Sequence, residues 1–186
     1  MLQDLVTVDL SITPSFCNAW PELLITANGE KVWQDLVQSQ STITVRFPAQ
    51  DTNLVRITYL NKQNGPDVWD TQIDADGRII QDQNAVLTTI RINGARCDWI
   101  LDSLMWNYLD GRQQPNRGFM DLQGHADIEF PRDVYAWIIE QRQARTRKTN
   151  KTSALDYKSI YIPTHVNQAS LEVIEEIKQM VNKLHV

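Results

Sequence analysis

The residues best suited to chemistry are aspartates in the segment GPDVWDTQIDADGRIIQD, residues 65–82. They surround a single aromatic residue, Trp69, and comprise Asp67, Asp70, Asp74, Asp76 and Asp82. Hard cations such as Ca²⁺ bind several carboxylate and carbonyl oxygens at once, so clustered aspartates are a sequence pattern of calcium sites. We therefore keep Asp70, Asp74 and Asp76 as candidate calcium ligands.

The spacing of this segment does not match the EF-hand calcium loop. With Gly77 at the glycine position of that loop, the first ligand would be Gln72 and the last would be Gln83, neither of which is a carboxylate. The simpler interpretation is a tight turn over residues 74–77, in which aspartate side chains accept backbone hydrogen bonds and glycine takes a positive φ. We favour the turn over the metal site.

Tryptophan is abundant, with six residues among 186. Exposed aromatic rings stack on sugars, so surplus tryptophan raises the hypothesis of a carbohydrate-binding module. Trp33, Trp99 and Trp137 lie on apolar faces and are predicted to join the core. Trp69 and the pair Trp106 and Tyr108 are predicted to lie in loops, where they are the candidate ligand-binding residues.

Catalytic motifs are absent from the sequence, which contains no GxSxG, HExxH, GxxxxGK[ST] or GxGxxG. A nucleophilic pair of Cys97 with His125 stays open, although cysteines on strands are usually small buried hydrophobes. Asp127 and Glu129 share a strand face as paired acid and base carboxylates do, but solvent-facing pairs of this kind are common on sheets. We predict no catalytic residue and no enzyme activity.

Charge is divided unevenly along the chain. Residues 1–141 carry ten Lys and Arg against nineteen Asp and Glu (net −9), residues 142–158 carry six against one (net +5), and residues 159–186 carry two against three (net −1). A basic segment beside an acidic body suggests docking on another subunit's acidic surface, with a solvated loop as the alternative. The sequence pI of 5.1 disfavours nucleic acid as a partner. The candidate partner-binding residues of this segment are Arg142, Arg145, Arg147, Lys148 and Lys151.

Length and composition indicate one ordinary folded domain with an appendage. No apolar run reaches the ~20 residues needed to cross a bilayer, and the first residues lack the pattern of a signal peptide. Two cysteines are too few for a disulfide framework and do not form a zinc spacing with the three histidines. We therefore expect no membrane partner and no structural zinc.

Apolar residues recur at every second position over most of the first 100 residues, which predicts strands. Turn signals separate them, including Asn28-Gly29 and Asn93-Gly94, and no alternation of strands with helices appears. We predict a mainly β fold over residues 1–141, an antiparallel β-sandwich resembling a jelly roll, with a short helix near 131–141 that starts at Pro131.

The rest of the chain is predicted to be a basic arm over 142–166 and an amphipathic helix over 167–186. A connection as long and polar as this arm is uncommon inside a compact domain, which favours a functional role. The apolar face of the predicted helix would cover its own sandwich or lie in a groove of a neighbour. Its candidate partner-binding residues are Leu171, Ile174, Ile177 and Val181.

Residues 53–140 resemble a loose group of proteins from tailed bacteriophages of aquatic bacteria and cyanobacteria. The shared features are Asn61-Lys62 at a strand end, the Asp-rich pattern from Asp70-Thr71 to Asp82, a strand with Ile90, Ile92 and Gly94, and a later stretch from Gly124 to Ile138. Gln123 and His125 depart from the pattern. The resemblance implies a β-sandwich of virion or tail-associated proteins, some of which are likened to carbohydrate-binding modules.

Two function hypotheses follow. The first is a non-enzymatic phage virion structural protein, a tail, baseplate or capsid-associated adaptor, which is assembled in the host cytoplasm and docks on other virion proteins or on copies of itself without a cofactor. The alternative is a carbohydrate-binding module, calcium-assisted, that recognises glycans of the host surface. A hydrolase with an unrecognised carboxylate site ranks third.

Overall fold

The computed structural model describes residues 4–62 and 70–156, with side chains described up to residue 145. The chain is mainly β, as predicted, and its strands pair antiparallel throughout. The strands are β1 (Leu5–Ser15), β2 (Glu22–Ala27), β3 (Glu30–Leu36), β4 (Ser41–Pro48), β5 (Thr52–Tyr59), β6 (Thr71–Ile73), β7 (Ile79–Asp82), β8 (Asn84–Ile92), β9 (Ala95–Arg96), β10 (Met105–Tyr108), β11 (Gln113–Pro115), β12 (Phe119–Met120) and β13 (Gly124–Pro131). A 3₁₀ helix covers Asp98–Ser103, and one α-helix, α1, covers Val134–Asp156.

Two sheets form the sandwich. The first has the order β12-β8-β1-β4, with β9 paired to β8, and the second has the order β11-β10-β13-β5-β2-β3. Strands β6 and β7 form a separate two-stranded hairpin. The predicted β-sandwich is therefore confirmed.

The core lies between the two sheets because each strand buries every second side chain. In β1 the buried residues include Val8 and Leu10, and in β5 they include Val55 and Ile57. All of them belong to one hydrophobic cluster. Removing each such side chain from water stabilises the fold by about 1.5–3 kcal/mol, and the intervening polar residues form the outer faces.

Both predicted Asn-Gly hairpins are confirmed. Asn28 and Gly29 join β2 to β3 with φ values of 51° and 87°, and Asn93 and Gly94 join β8 to β9 with φ values of 50° and 79°. Two successive positive φ values are the requirement of the type I′ turn, which suits the twist of paired strands. Each asparagine also accepts a backbone hydrogen bond at 2.9 Å from a neighbouring strand, through Leu54 N and Thr7 N.

The helix differs from its prediction in both start and length. Pro131 ends β13, and α1 begins at Val134, where Ala136 N donates to Asp133 Oδ1 at 3.1 Å as in an N-cap. The helix continues to Asp156 because Glu, Gln, Arg, Lys and Ala dominate the sequence after Ile139 and all favour helix. The first part of the predicted basic arm is therefore helical.

The chain divides into two units at Glu140 and Gln141. The predicted C-terminal helix over 167–186, with Leu171, Ile174, Ile177 and Val181, lies outside the described residues. Among the residues that the structure describes, no helix combines the length and apolarity needed to cross a membrane.

Candidate functional site

The Asp-rich segment forms the hairpin of β6 and β7. Its turn is built around Asp74, whose Oδ1 accepts hydrogen bonds from the backbone N–H groups of Asp76 at 2.9 Å and Arg78 at 2.8 Å. Gly77 takes a φ of +80°, a conformation that side chains disfavour. The turn predicted for residues 74–77 is therefore confirmed.

The same geometry leaves the candidate calcium ligands without a joint site. Asp74 Oδ1 is engaged by the turn, and within residues 4–62 and 70–145 no group of three His, Cys, Asp or Glu side chains is arranged to hold a metal ion. That Asp70, Asp74 and Asp76 bind a cation stays a prediction.

The base of the hairpin is fixed by a buried lysine. Lys62 is only 3% exposed, and its Nζ donates to Asp82 Oδ1 at 2.5 Å and to the carbonyl oxygen of Gln83 at 2.8 Å. Thr71 Oγ1 donates to the same Asp82 oxygen at 2.5 Å, which ties β6 to β7. A buried ammonium must be paired in this way, since an isolated charge in the interior is costly.

Tyr59 joins this cluster from the end of β5. Its hydroxyl donates to the carbonyl oxygen of Gln83 at 3.3 Å. Burial raises the pKa of Tyr59 well above its ordinary value, and the nearby carboxylates of Asp70 and Asp82 raise it further. The phenol is therefore a neutral hydrogen-bond donor that holds the start of β8 to the sandwich.

A second attachment joins the hairpin to the segment after β1. Gln81 Nε2 donates to the carbonyl oxygen of Phe16 at 2.6 Å. The ring of Phe16 lies 5.0 Å from that of Trp20. Burial raises the pKa of the neighbouring Cys17 thiol, against the opposing effect of a hydrogen bond from the Gln72 backbone. The Cys17 thiol is thus held in its neutral form against the hairpin.

The hairpin exposes three isoleucines. Ile73 is 59% exposed, Ile79 is 65% exposed and Ile80 is 67% exposed. Ile73 and Ile79 are cross-strand partners. The aspartates of this segment predicted only a turn, whereas the two adjacent β-branched residues after Gly77-Arg78 are the sequence signal for the exposed strand.

Other exposed apolar side chains lie at the same end of the sandwich. Leu36 pairs with Glu22 at the start of β2, and Leu109 follows Tyr108, which pairs with Gly124 at the start of β13. Both starts adjoin the end of β5, from which the chain enters the hairpin region. We call this end of the molecule the hairpin end, defined by the exposed residues Phe16, Leu36, Ile73, Ile79, Ile80 and Leu109.

The prediction of Trp106 and Tyr108 as exposed ligand-binding residues is wrong. Trp106 lies on β10 between β11 and β13, is fully buried, and donates its indole N–H to the carbonyl oxygen of Leu122 at 3.2 Å. Tyr108 is buried two residues further along the same strand face. The alternation of β10 turns both rings into the core. Trp69 lies outside the described residues.

The tryptophans predicted to join the core do so at its margin. Trp33, Trp99 and Trp137 are partly buried and pack against the core cluster. The rings of Trp99 and Trp137 lie 5.0 Å apart and are tilted by 53°. A tilted pair at this separation is a favourable aromatic arrangement, so α1 is attached to the sandwich through Trp137.

The outer face of the second sheet carries an ion pair. Arg56 on β5 binds Asp127 on β13 through two hydrogen bonds, at 2.7 Å and 2.9 Å. His125 Nε2 lies 4.0 Å from Asp127 Oδ2. The hydrogen bond from Arg56 lowers the pKa of Asp127, whereas burial and the charge of Arg56 lower the pKa of His125 against the opposing charge of Asp127.

This arrangement does not favour the catalytic alternatives. Asp127 is bound to Arg56 and keeps its carboxylate ionised, so it is a poor proton acceptor or donor beside Glu129. Cys97 belongs to the core and its Sγ donates to Ala95 O at 3.4 Å, whereas His125 lies on the outer face of the second sheet. The residues proposed as a nucleophile and its base therefore face different environments.

The basic segment begins inside α1. Arg142 is exposed and Arg145 is half-buried. Arg147, Lys148 and Lys151 belong to the helix, but their side chains lie beyond those described. The sequence of α1 after Ile139 contains only Ala144, Ala154 and Leu155 as apolar residues, so this part of the helix has no apolar stripe.

Comparison with known proteins identifies no family. No family model matches the chain, and no curated protein matches it. The solved structures that match include a vCBM60 in complex with galactobiose, with 13% identity over 65% of this chain and 95% of that chain and a TM-score of 0.41. A second is the selenomethionine form of vCBM60, described with calcium-dependent carbohydrate-binding modules, with 9% identity over 66% and 88% of the two chains and a TM-score of 0.43. A likeness of this size assigns neither a family nor a ligand to the chain, and the fold described above rests on its own strand pairing.

Proposed function

We propose that this protein is a non-enzymatic structural component of a phage virion, a tail, baseplate or capsid-associated adaptor, that docks on copies of itself. The observation that carries the proposal is the separation of charge between a body of net −9 over residues 1–141 and a basic segment of net +5 over residues 142–158, which is helical up to Asp156. Complementary charges on two surfaces of one chain promote association between copies and fix their orientation. The virion location is proposed from the resemblance over residues 53–140.

The basic segment is suited to an interface between subunits. A helix that is polar all round gains nothing from covering an apolar core, and a surface rich in cations is of the kind that meets carboxylates at an interface. The segment is also presented as a helix, which limits the conformational entropy lost on docking. The sandwich acts as the rigid block that carries it.

The experiment compares two full-length variants with equal changes in charge. Arg142→Glu with Arg145→Glu lowers the net charge of the basic segment from +5 to +1. Arg46→Glu with Arg91→Glu makes the same change at exposed positions on the outer face of the first sheet. We expect light scattering to show an affinity of self-association at least about tenfold weaker than wild type for the first variant. The control should associate with wild-type affinity. Equal association of the two variants would contradict the proposal.

A second candidate function, glycan binding, is supported by the polar row on the second sheet. Thr58 pairs with His125, and His125 pairs with Asn107, so three polar side chains cross three strands on the outer face. The Arg56 and Asp127 pair lies in the adjacent row. Such a surface offers fixed donors and acceptors to sugar hydroxyls.

The glycan hypothesis is tested with a glycan panel and calcium. Binding that is lost in Asn107→Ala, retained in Thr44→Ala on the other sheet, and abolished by a chelator would support the calcium-assisted module. Trp69 stays a predicted ligand-binding residue, and its replacement by Phe would remove any sugar-dependent quenching of fluorescence that it causes. No response to the panel in wild-type protein would contradict this candidate.

A further inference from the structure

We propose that the free edge of β4 pairs antiparallel with β4 of a second copy, across a two-fold axis at Thr44. This contact goes beyond the proposed function, because it joins the backbones of two strands and does not involve the basic segment. The first sheet ends at β4, which pairs with β1 on one side. Among the described strands, none pairs with its other side. An edge of this kind is a template for a further strand.

The pairing with β1 decides which backbone groups of β4 point outward. Thr7 of β1 faces β8, since Thr7 N donates to Asn93 Oδ1 at 2.9 Å and Asn93 N donates to Thr7 O at 2.8 Å. Backbone groups alternate in direction along a strand, so Val8 faces β4 and forms a hydrogen-bonded pair with Val45. Thr44, which precedes Val45, therefore directs its N–H and C=O groups away from β1.

The free edge of β4 presents three residues with outward N–H and C=O groups. By the same alternation these residues are Thr42, Thr44 and Arg46, whose side chains are exposed. Within residues 4–62 and 70–145, no hydrogen bond engages their backbone groups. The next outward carbonyl oxygen, that of Pro48, accepts from Asn28 Nδ2 at 3.4 Å, which agrees with the assigned direction.

The other described edges carry features that oppose pairing with a second chain. Strand β3 has three charged residues, Glu30, Lys31 and Asp35, and its register with β2 is irregular. Strands β6, β7, β9, β11 and β12 have two to four residues each. Charge, irregularity and short length are the usual protection of edge strands. In contrast, β4 has eight residues, an unbroken register with β1 and one charged residue, Arg46.

A second copy is the partner because this edge is complementary to itself. An axis at Thr44 places Thr44 opposite Thr44 of the second copy, and Thr42 opposite Arg46 of the second copy. All outward groups of these residues are then bonded, in three residue pairs with two hydrogen bonds each. An axis at Val45 would instead place Thr42 opposite Pro48, which has no N–H. With the axis at Thr44, Arg46 faces a threonine, so like charges do not meet.

The contact uses the same strand of both copies and therefore closes at a dimer. The first sheets of the two copies become one continuous sheet, joined at β4. The backbone hydrogen bonds of this dimer do not depend on matched charges, whereas docking through the basic segment does. High salt should therefore dissociate any larger assembly and leave the β4 dimer.

The first experiment uses the full-length protein at about 1 M salt, where the Debye length is about 3 Å and charge-matched docking is screened. We expect light scattering to show a dimer for the wild type and a monomer for Thr44→Pro, because proline lacks the N–H group at the axis. The substitution removes no hydrogen bond to β1, and proline is accepted on an edge strand where the N–H points outward. Thr44→Val keeps the N–H group and should remain dimeric.

A cross-link tests the register of the contact. Opposed residues of a hydrogen-bonded pair have Cα atoms about 5.5 Å apart, within the range of a disulfide. Thr44→Cys should therefore form a covalent dimer with oxidised glutathione, visible on a non-reducing gel. Thr88→Cys, at an exposed position on β8 of the same sheet, should not. The native Cys17 and Cys97 are buried and do not compete.

The outcomes separate this inference from the proposed function. A wild-type protein that is monomeric at high salt, as it would be if a segment of its own chain occupied the edge, would overturn the inference. A salt-sensitive oligomer seen at low salt would then leave the proposed function standing. A Thr44→Pro protein that is dimeric like the wild type, or equal cross-linking of Thr44→Cys and Thr88→Cys, would also overturn it. If circular dichroism shows that Thr44→Pro is unfolded, the cross-link decides alone.

Discussion

Buried Lys62, in the segment after β5, forms an ion pair with the partly buried Asp82 at the end of β7. The Lys62 ammonium also donates to the carbonyl oxygen of Gln83 at 2.8 Å, so one side chain fixes the strand that enters the hairpin region and the residue that leaves it. The hairpin therefore depends on this pair for its position. The positions of the three exposed isoleucines of the hairpin, Ile73, Ile79 and Ile80, therefore depend on the same ion pair.

Replacing Lys62 by Met should destabilise the protein. The substitution keeps much of the side-chain volume but leaves Asp82 without its cation, and removing one partner of a buried pair costs about 3 kcal/mol. Chemical denaturation should show this loss in the free energy of unfolding. Lys31→Met on the exposed strand β3 is the control, with an expected change within about 0.5 kcal/mol. Equal effects of the two substitutions would show that the pair does not anchor the hairpin.

Acid should weaken the outer face of the second sheet through His125. The folded chain lowers the pKa of His125, so the unfolded chain binds its proton more readily. The contribution of neutral His125 to the free energy of unfolding is therefore present above about pH 6.5 and is lost as the pH falls below that value. His125→Gln should therefore flatten the fall in the free energy of unfolding between about pH 7 and about pH 5, by less than about 1 kcal/mol for a partly exposed group.

Asp127→Asn should have the opposite effect on that slope. Without the Asp127 carboxylate, the charge of Arg56 lowers the pKa of His125 unopposed, and the loss of stability on acidification becomes steeper. Below about pH 4 the wild-type protein should also lose the stability that comes from the lowered pKa of Asp127, a loss that the variant lacks. Identical pH profiles for the wild type and both variants would contradict the described geometry.

Gly124→Ala should destabilise the packing around Trp106. A Cβ at this position would lie 2.4 Å from the carbonyl oxygen of Asn107 and 2.7 Å from Trp106 Nε1. Such overpacking costs about 1–3 kcal/mol, measurable by thermal unfolding. Gly77→Ala, where no atom lies within 4 Å but φ is +80°, isolates the cost of backbone strain, about 1 kcal/mol. A Gly124→Ala protein as stable as wild type would show that Trp106 is not packed as described.

Calcium should leave the thermal stability of the protein unchanged. A cation that bound Asp74 or Asp82 through Oδ1 would have to displace the two backbone N–H groups from Asp74 or the Lys62 ammonium from Asp82. Unfolding temperatures measured with millimolar Ca²⁺ and with a chelator should agree. A rise with Ca²⁺ that is lost in Asp74→Asn would restore the cation-binding interpretation of Asp70, Asp74 and Asp76.

The strands were predictable because apolar and polar residues alternate along the sequence at the period of a β-strand. Val6, Val8, Leu10 and Ile12 mark the buried face of β1, and the two Asn-Gly pairs require the turns that they form. The turn at Asp74 was predictable for the same reason. These features depend on local residue chemistry alone.

The features that were missed depend on contacts between distant residues. The burial of Trp106 comes from its place between β11 and β13, and no local pattern distinguishes an inward tryptophan in a four-residue strand from one in a loop. The pairing of Lys62 with Asp82 joins residues 20 positions apart. The exposure of Ile79 and Ile80 follows from the hairpin being separate from both sheets, which composition does not reveal.

The most direct test of the proposed function is the solution mass of the full-length wild-type protein by light scattering at low and high salt. Charge-matched docking between copies predicts an oligomer at low salt that dissociates as salt screens the pairs, since the Debye length falls from about 30 Å at 0.01 M to about 3 Å at 1 M. A monomer at both salt concentrations would contradict self-assembly through the basic segment.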